Sequence, residues 1–443
     1  MSEKPDTSLN DEAQGRSVSR RDFLKLAGMA GAAIGLGAGL GGLVAACGDD
    51  EPTETTTTAA AGSTTTVAAG MEKLKVGMIL DYSFPLHVMW QHIMEAYVPH
   101  MNTNGGIKVG DKAYEVDLIM YDGKRDSETS RSAVQRLLNE DKVEFILGDE
   151  STDYWQPLTE QAGKLVIAGS PSPEILKPIN KLTFQATYLN TKPAQIWGWC
   201  SERWPDVKKV MGGHPDNLQG NEESRKLEML CKAWGQEVVK EILYPMGTTD
   251  FSAIATTLVA SGGEVFSTCG GGDVSDGQFF KAMKQAGFEG PKWITVGFVP
   301  GSATKVVPIE NHENVASSWA LFELPKPPAA AKELYDVYVA KFGEWDYPAI
   351  FHSQTLWLLK AALEKAATLD ATKLAEVMHA GFEFDSPDGH GKIIPRPDLD
   401  NPQCVDCIYA VTMGVVEKGE WKVIEELSLD RAFEYNKKTY GWA

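Results

Sequence analysis

The sequence predicts an α/β protein built from two doubly wound, parallel-sheet lobes. Three observations predict it. Apolar runs of strand length alternate with amphipathic runs of helix length from Lys73 onward. The same alternation starts afresh after Asn190. Residues 72–443 are also too many for a typical single core, and fit two.

Residues 73–80 alternate and then turn wholly apolar, as expected for a strand buried on both faces. Residues 85–102 carry Val88, Ile93, Met94 and Tyr97 at helical spacing, and 114–122 read as a second strand. Residues 127–139 form an amphipathic helix with Ala133, Val134, Leu137 and Leu138 on one side. Strands at 143–148 and 166–169 flank a helix at 152–162. In the second run, helices at 193–203, 222–234, 251–261 and 277–286 alternate with strands at 208–212, 237–243, 264–268 and 293–296. A strand at 315–322, helices at 329–342, 351–367 and 371–380, and β-rich sequence from 391 to 424 complete the chain. Strands separated by helices of this length imply right-handed βαβ units.

The N-terminus reads as an export signal. Arg20 and Arg21 precede an uncharged Gly-, Ala- and Leu-rich stretch from 26 to 46, which ends in Val44, Ala45 and Ala46 before Cys47. The pattern resembles a twin-arginine signal joined to a lipobox. That resemblance implies that the Tat translocase exports the chain and that Cys47 carries a diacylglyceryl thioether. A plain transmembrane anchor is the rival reading, since the stretch is long enough to span hydrocarbon. Its many glycines argue against a stable helix. Residues 48–70 are acidic, then Thr- and Ala-rich, and cannot bury enough apolar surface to order themselves. They read as a flexible tether.

The formal charge of −19 survives removal of residues 1–46, which hold five basic and five acidic side chains. An acidic body argues against nucleic-acid binding. Beyond Cys47, five cysteines remain, at 200, 231, 269, 404 and 407. Cys404-x-x-Cys407 lacks a second pair or nearby histidines to complete a zinc site. A structural disulfide or two buried thiols is expected there, with no metal and no cofactor.

In open α/β sheets, ligands bind beyond the carboxyl ends of the strands. Here those ends are Asp81–Tyr82 and residues 148–154, 169–172, 212–219, 269–273 and 297–301. They are rich in Gly, Ser, Asn and aromatic residues, which suits a small-molecule site. Any single βα loop carries such turn residues; six coordinated loops argue for a site.

Three segments carry a family resemblance. Gly105, Gly106 and Ile107, the strand at 114–122, the helix at 127–139 and the strand ending in Gly148 resemble the first lobe of type I periplasmic binding proteins. Tyr244-Pro245-x-Gly247-Thr248-Thr249-Asp250-Phe251-Ser252 resembles a second-lobe motif of the branched-chain amino-acid (Leu/Ile/Val) binding family of ABC importers. Ser386-Pro387-x-Gly389 also fits. The resemblance implies a three-strand hinge, with crossovers near 184–190, 315–322 and 382–391. With the signal over 1–46 and the tether over 47–71 set aside, it implies one lobe from 72–188 plus 318–383, and the other from 189–317 plus 384–443. It also implies a monomer that delivers ligand to ABC permease subunits outside the cytoplasm.

In amino-acid-binding members, hydroxyls after the third and fourth strands hold the ligand carboxylate. Ser151 and Thr152 match the first position, and Ser170 and Ser172 the second. In the second lobe Asn217 and Gln219 fall in the expected loop, with Gln219 where tyrosine is usual; Gly271 stands where another tyrosine is expected. Residues 296–300 carry no carboxylate to hold an α-ammonium group, and an unpaired buried ammonium is costly. Tyr82, Tyr154, Trp155 and Phe298 would wall the site, or pack in the core. The expected ligand is a carboxylated or amide-bearing organic compound, aromatic members included, or an amino-acid-like compound. An exported enzyme is a rival, but there is no P-loop, GxSxG or HExxH. A ligand-sensing subunit of a membrane receptor would share the same fold.

Overall fold

Residues 67–443 form one compact unit. The computed structural model describes residues 71–83, 85–269, 273–295, 304, 307–319, 326–345 and 354–442. Arg20, Arg21, Cys47, Gly271 and Phe298, with the expected signal and most of the tether, lie outside the described residues. Among those described, no helix is long and apolar enough to cross a membrane.

The first sheet has the order β2-β3-β1-β4-β5-β6. Its strands are β1 Glu72–Leu80, β2 Ile107–Val109, β3 Lys112–Asp122, β4 Phe145–Leu147, β5 Leu165–Ala168 and β6 Thr183–Gln185. All neighbours are parallel except β2 and β3. Val76, Met78, Phe145, Leu147, Leu165 and Ile167 are fully buried, each such large side chain contributing about 1.5–3 kcal/mol. Helices α1 Pro85–Thr103, α2 Ser127–Arg136 and α3 Thr152–Gln161 supply the crossovers. Asp126 caps α2 by accepting from the Thr129 N–H. The helix then widens into a π-turn, Leu137–Asp141, closed by Lys142 at φ 59°.

The chain leaves this sheet after β6 and enters α4 Lys192–Arg203, which packs on the second sheet. That sheet has the order β16-β15-β11-β10-β9-β7-β8. Its parallel part is β7 Lys209–Pro215, β8 Glu237–Tyr244, β9 Val265–Thr268, β10 Lys292–Ile294 and β11 Val315–Trp319. α4 and α5 Leu218–Ala233 contribute to the core that holds Trp293 and Ala316. α7 Asp273–Gln285 shares a second core with Phe266 and Val315, joined by α6 Ser252–Ala260. The sheet is thus covered on both faces, as a parallel sheet requires.

After β11, helices α8 Ala329–Phe342, α9 Gln354–Ala366 and α10 Ala371–Ala380 return to the first sheet, α8 against α1 and both α9 and α10 against β5. Residues 383–409 form a separate antiparallel sheet. Its strands are β12 Glu383–Ser386, β13 Gly389–Arg396 and β14 Asn401–Tyr409. Only then does the chain rejoin the second sheet, through β15 Val411–Glu417 and β16 Glu420–Leu427. A last helix, α11 Leu429–Tyr440, packs on α4, α5 and β14. Buried Arg396 bonds Asp406 and Asp398, and Asp398 accepts from the Trp442 indole, which fastens the chain end.

All five body cysteines are free thiols, Cys404 half-buried and the others buried. Cys404 and Cys407 pair with Pro395 and Ile393 of β13, on either side of a β-bulge. Of the two arrangements expected at this motif, the thiols are the one found.

Candidate functional site

Both parallel sheets reverse their strand order at one place. In the first, β1 lies between β3 and β4; in the second, β7 lies between β8 and β9. Such switch points open a crevice beyond the strand ends. The loops after β1 and β4 supply Asp81, Tyr82 and residues 148–152, and the loop after β7 supplies Asn217 and Gln219.

On the first sheet, Asp149 organises the loop. Its Oδ1 accepts from the Ser151 backbone N–H at 2.8 Å and the Ser151 hydroxyl at 2.5 Å. Its carbonyl accepts from the Thr152 hydroxyl at 2.6 Å. The Trp155 indole, fully buried, reaches Ser151 Oγ at 3.4 Å. Gly148 is required by this packing, since a Cβ there would stand 2.2 Å from Thr152 Oγ1 and 3.0 Å from the Trp155 ring. Ser170 is held by Gln185 of β6, which accepts from its N–H and donates to its carbonyl. Ser170 Oγ in turn accepts from the Ser172 N–H.

Around that loop lies an ionic network that the sequence reading did not find. His87 Nδ1 accepts from the Asp81 N–H at 2.9 Å and lies 3.4 Å from Asp149; Nε2 lies 3.6 Å from Glu150. Arg125 pairs with Glu150 and stands 3.4 Å from Asp81. Burial and then Glu150 raise the Asp149 carboxyl, against the pull of His87 and Ser151. Burial would raise Glu150 as well, but His87 and Arg125 together outweigh it and lower that carboxyl. Tyr82 is half-buried, with its N–H on Asp122; Tyr154 is also half-buried.

On the second sheet, the centre is Glu223, 2% exposed. It accepts from the Thr295 hydroxyl at 2.8 Å, Gln219 Nε2 at 3.2 Å and Lys226 Nζ at 3.2 Å. Lys226 also donates to the Leu189 carbonyl, in the segment linking the two sheets. Gly220 lets α5 start this close to its strand, because a Cβ would stand 2.0 Å from the Pro215 carbonyl oxygen. Asn217 serves as the cap of α5, its side chain accepting from the Gly220 N–H at 2.7 Å. Residues 296–300 lie outside the described residues; Glu223 supplies a buried carboxylate beside Thr295, paired with Lys226.

The Asp153 carboxyl is raised by burial first, then by Asp149 and by Glu222. Asp153 lies in the first turn of α3 and Glu222, 5% exposed, near the start of α5. Each of these helix N-termini carries a partial positive charge. Ser151, Thr152, Ser170 and Ser172 lie just beyond strands of the first sheet, and Gln219 just beyond β7 of the second. Among the described residues, no set of three or more His, Cys, Asp or Glu could hold a metal ion.

A family model described as periplasmic binding protein matches residues 73–419. The chain belongs to the periplasmic binding protein family. A twin-arginine translocation pathway signal matches residues 17–37 of this binding protein, which indicates export from the cytoplasm. Solved structures share its type I fold. A branched-chain amino-acid ABC transporter periplasmic ligand-binding protein from Burkholderia xenovorans superposes with a TM-score of 0.65 at 15% identity, covering 82% of this chain and 97% of that one. A solute-binding protein of an ABC transporter from Rhodopseudomonas palustris, in complex with 3,4-dihydroxybenzoic acid, gives 0.64 at 20% identity, covering 81% and 98%. A branched-chain amino-acid transporter substrate-binding protein from Streptococcus pneumoniae, in complex with isoleucine, gives 0.61 at 17% identity, covering 80% and 99%.

Proposed function

We propose that this binding protein is a lipid-anchored, extracytoplasmic receptor that captures a small organic ligand and hands it to the permease subunits of an ABC importer. The ligand is carboxylated, amide-bearing or amino-acid-like, and sits between the strand ends of the two sheets. One lobe takes residues 72–188 and 318–383; the other takes 189–317 and 384–443, its last segment opening with the antiparallel sheet β12–β14 next to the hinge. The protein acts as a monomer and binds without chemistry.

The observation that carries this reading is the pair of switch points, β1 between β3 and β4 and β7 between β8 and β9. Each opens a crevice beyond its strand ends, and a ligand touching both sheets would favour a closed arrangement. Solved relatives described as binding isoleucine or dihydroxybenzoic acid support the ligand class. The Ala-Ala-Cys47 sequence at the end of the signal supports the anchor, where two acyl chains suffice for stable attachment.

Native mass spectrometry of the protein taken from its own membrane tests both parts. The expected result is a chain beginning at Cys47 with a diacylglyceryl mass, carrying a stoichiometric small molecule. A chain retaining residues 1–46, or one from which no small molecule is ever released, would contradict it.

A further inference from the structure

A groove lies between α9, which packs on β5, and β12, where the chain turns back towards the second sheet. Trp357, Ala361 and Lys365 recur every four residues along α9, with Lys360 and Glu364 beside them, so all five share one side of the helix. Phe382, just before β12, and Phe384 within it are two apart and lie on one face. These residues, with Glu383 and Asp385, line a cavity of about 490 Å³, within the size range of small-molecule sites. None of them belongs to the strand-end loops.

The apolar part of the lining is aromatic. Trp357 packs on Tyr97 of α1, ring centroids 4.3 Å apart, and Phe382 meets Phe384 edge-on at 6.2 Å. Rings held by such contacts keep their place, and they favour a flat apolar body over a flexible one. The charges are nearly all answered within the protein. Lys360 pairs with Glu364 at 2.7 Å. Glu383 meets His390 at 3.3 Å and Lys392 at 3.5 Å, and Asp385 meets His390 at 2.8 Å. The bond to Asp385 raises the His390 imidazole, which favours its cation. Lys365 differs. Its Nζ stands 5.5 Å from the centre of the Phe382 ring and has no hydrogen bond or ion pair with any described residue.

The groove thus offers aromatic surface with one uncompensated cation beside it. We propose that it is a second small-molecule site, separate from the strand-end cleft, and that it takes an aromatic monocarboxylate. The ring lies against Trp357, Phe382 and Phe384, and the carboxylate accepts from Lys365 Nζ in a charge-assisted hydrogen bond. A neutral amide of the same shape keeps the ring contacts and loses that bond. A second carboxylate would meet Glu364, Glu383 and Asp385 and be repelled.

Fluorine NMR of the full-length exported protein, labelled with 5-fluorotryptophan, tests the site, with Trp357→Phe identifying the Trp357 resonance. Phenylacetate should shift that resonance saturably, and phenylacetamide should need a concentration about threefold higher, the modest factor expected for an exposed ammonium. Lys365→Met should remove the difference by weakening phenylacetate alone. A Trp357 resonance that phenylacetate leaves unmoved would overturn the proposal, as would equal response to the two probes or an unchanged preference in Lys365→Met. Shifts confined to other tryptophans would place the probe elsewhere and overturn it too. Any of these results would leave capture at the strand ends standing.

Discussion

Thr295 Oγ1 donates to Glu223 Oε2 across 2.8 Å, tying the end of β10 to α5. The same carboxylate neutralises Lys226, and both side chains are at least nine-tenths buried. Removing one partner of a buried pair strands the other. Glu223→Gln should therefore lower the unfolding free energy by about 3–5 kcal/mol. Adding Lys226→Met to it should restore most of the loss. Urea denaturation midpoints of the two variants check this, and a double variant no more stable than the single would contradict it.

Arg396 is 4% exposed and bonds Asp406, which is wholly buried, and Asp398. Arg396→Met leaves Asp406 without its guanidinium, again at a cost of about 3–5 kcal/mol. Because Asp398 also receives the Trp442 indole, the variant should lose tryptophan emission from the chain end before global unfolding. An unchanged denaturation curve would refute that role.

Asp276, fully buried with Thr268 as its hydrogen-bond donor, has its carboxyl pushed up to about 7 by burial. The folded state thus keeps a proton that the unfolded chain gives up near pH 4. The contribution to stability is complete below about pH 4 and is lost as pH rises through about 7. Asp276→Asn should have a flatter dependence of Tm on pH and should gain on the wild type at pH 8. Parallel curves for the two proteins would contradict the assignment.

Four of the five body cysteines are buried, and burial raises the thiols of Cys200, Cys231, Cys269 and Cys407. A thiol reagent should therefore label Cys404 first and the other four only on unfolding. Cys47, once acylated, is a thioether and should stay silent even in denaturant. Rapid labelling of a second residue in the native protein would contradict this arrangement.

Much of the fold was legible because parallel strands buried on both faces read as apolar runs, as residues 76–80 and 145–147 do. The helix α11 was missed although its signals were present. Ser428 caps it, Asp430 opens it, Lys437 and Lys438 close it, and Gly441 follows at φ 70°. β6 is three residues long and sits where the chain changes sheets, so no period could reveal it. The positions of Ser151, Thr152 and Gln219 just beyond β4 and β7 were legible from the strand pattern. That of Glu223 was not, because Asn221, Glu222, Glu223, Ser224 and Arg225 read as a solvated helix face. Its burial depends on Thr295, 72 residues further along the chain. His87, Arg125 and Glu150 come from three separate segments and share no local pattern.

Small-angle scattering of the protein, stripped of ligand and then saturated with the compound recovered by native mass spectrometry, tests the central claim most directly. If the strand ends around Asp153 and Glu222 hold the ligand between them, the radius of gyration falls on saturation and the unliganded curve returns after stripping. Superimposable curves at verified saturation would contradict capture by closure.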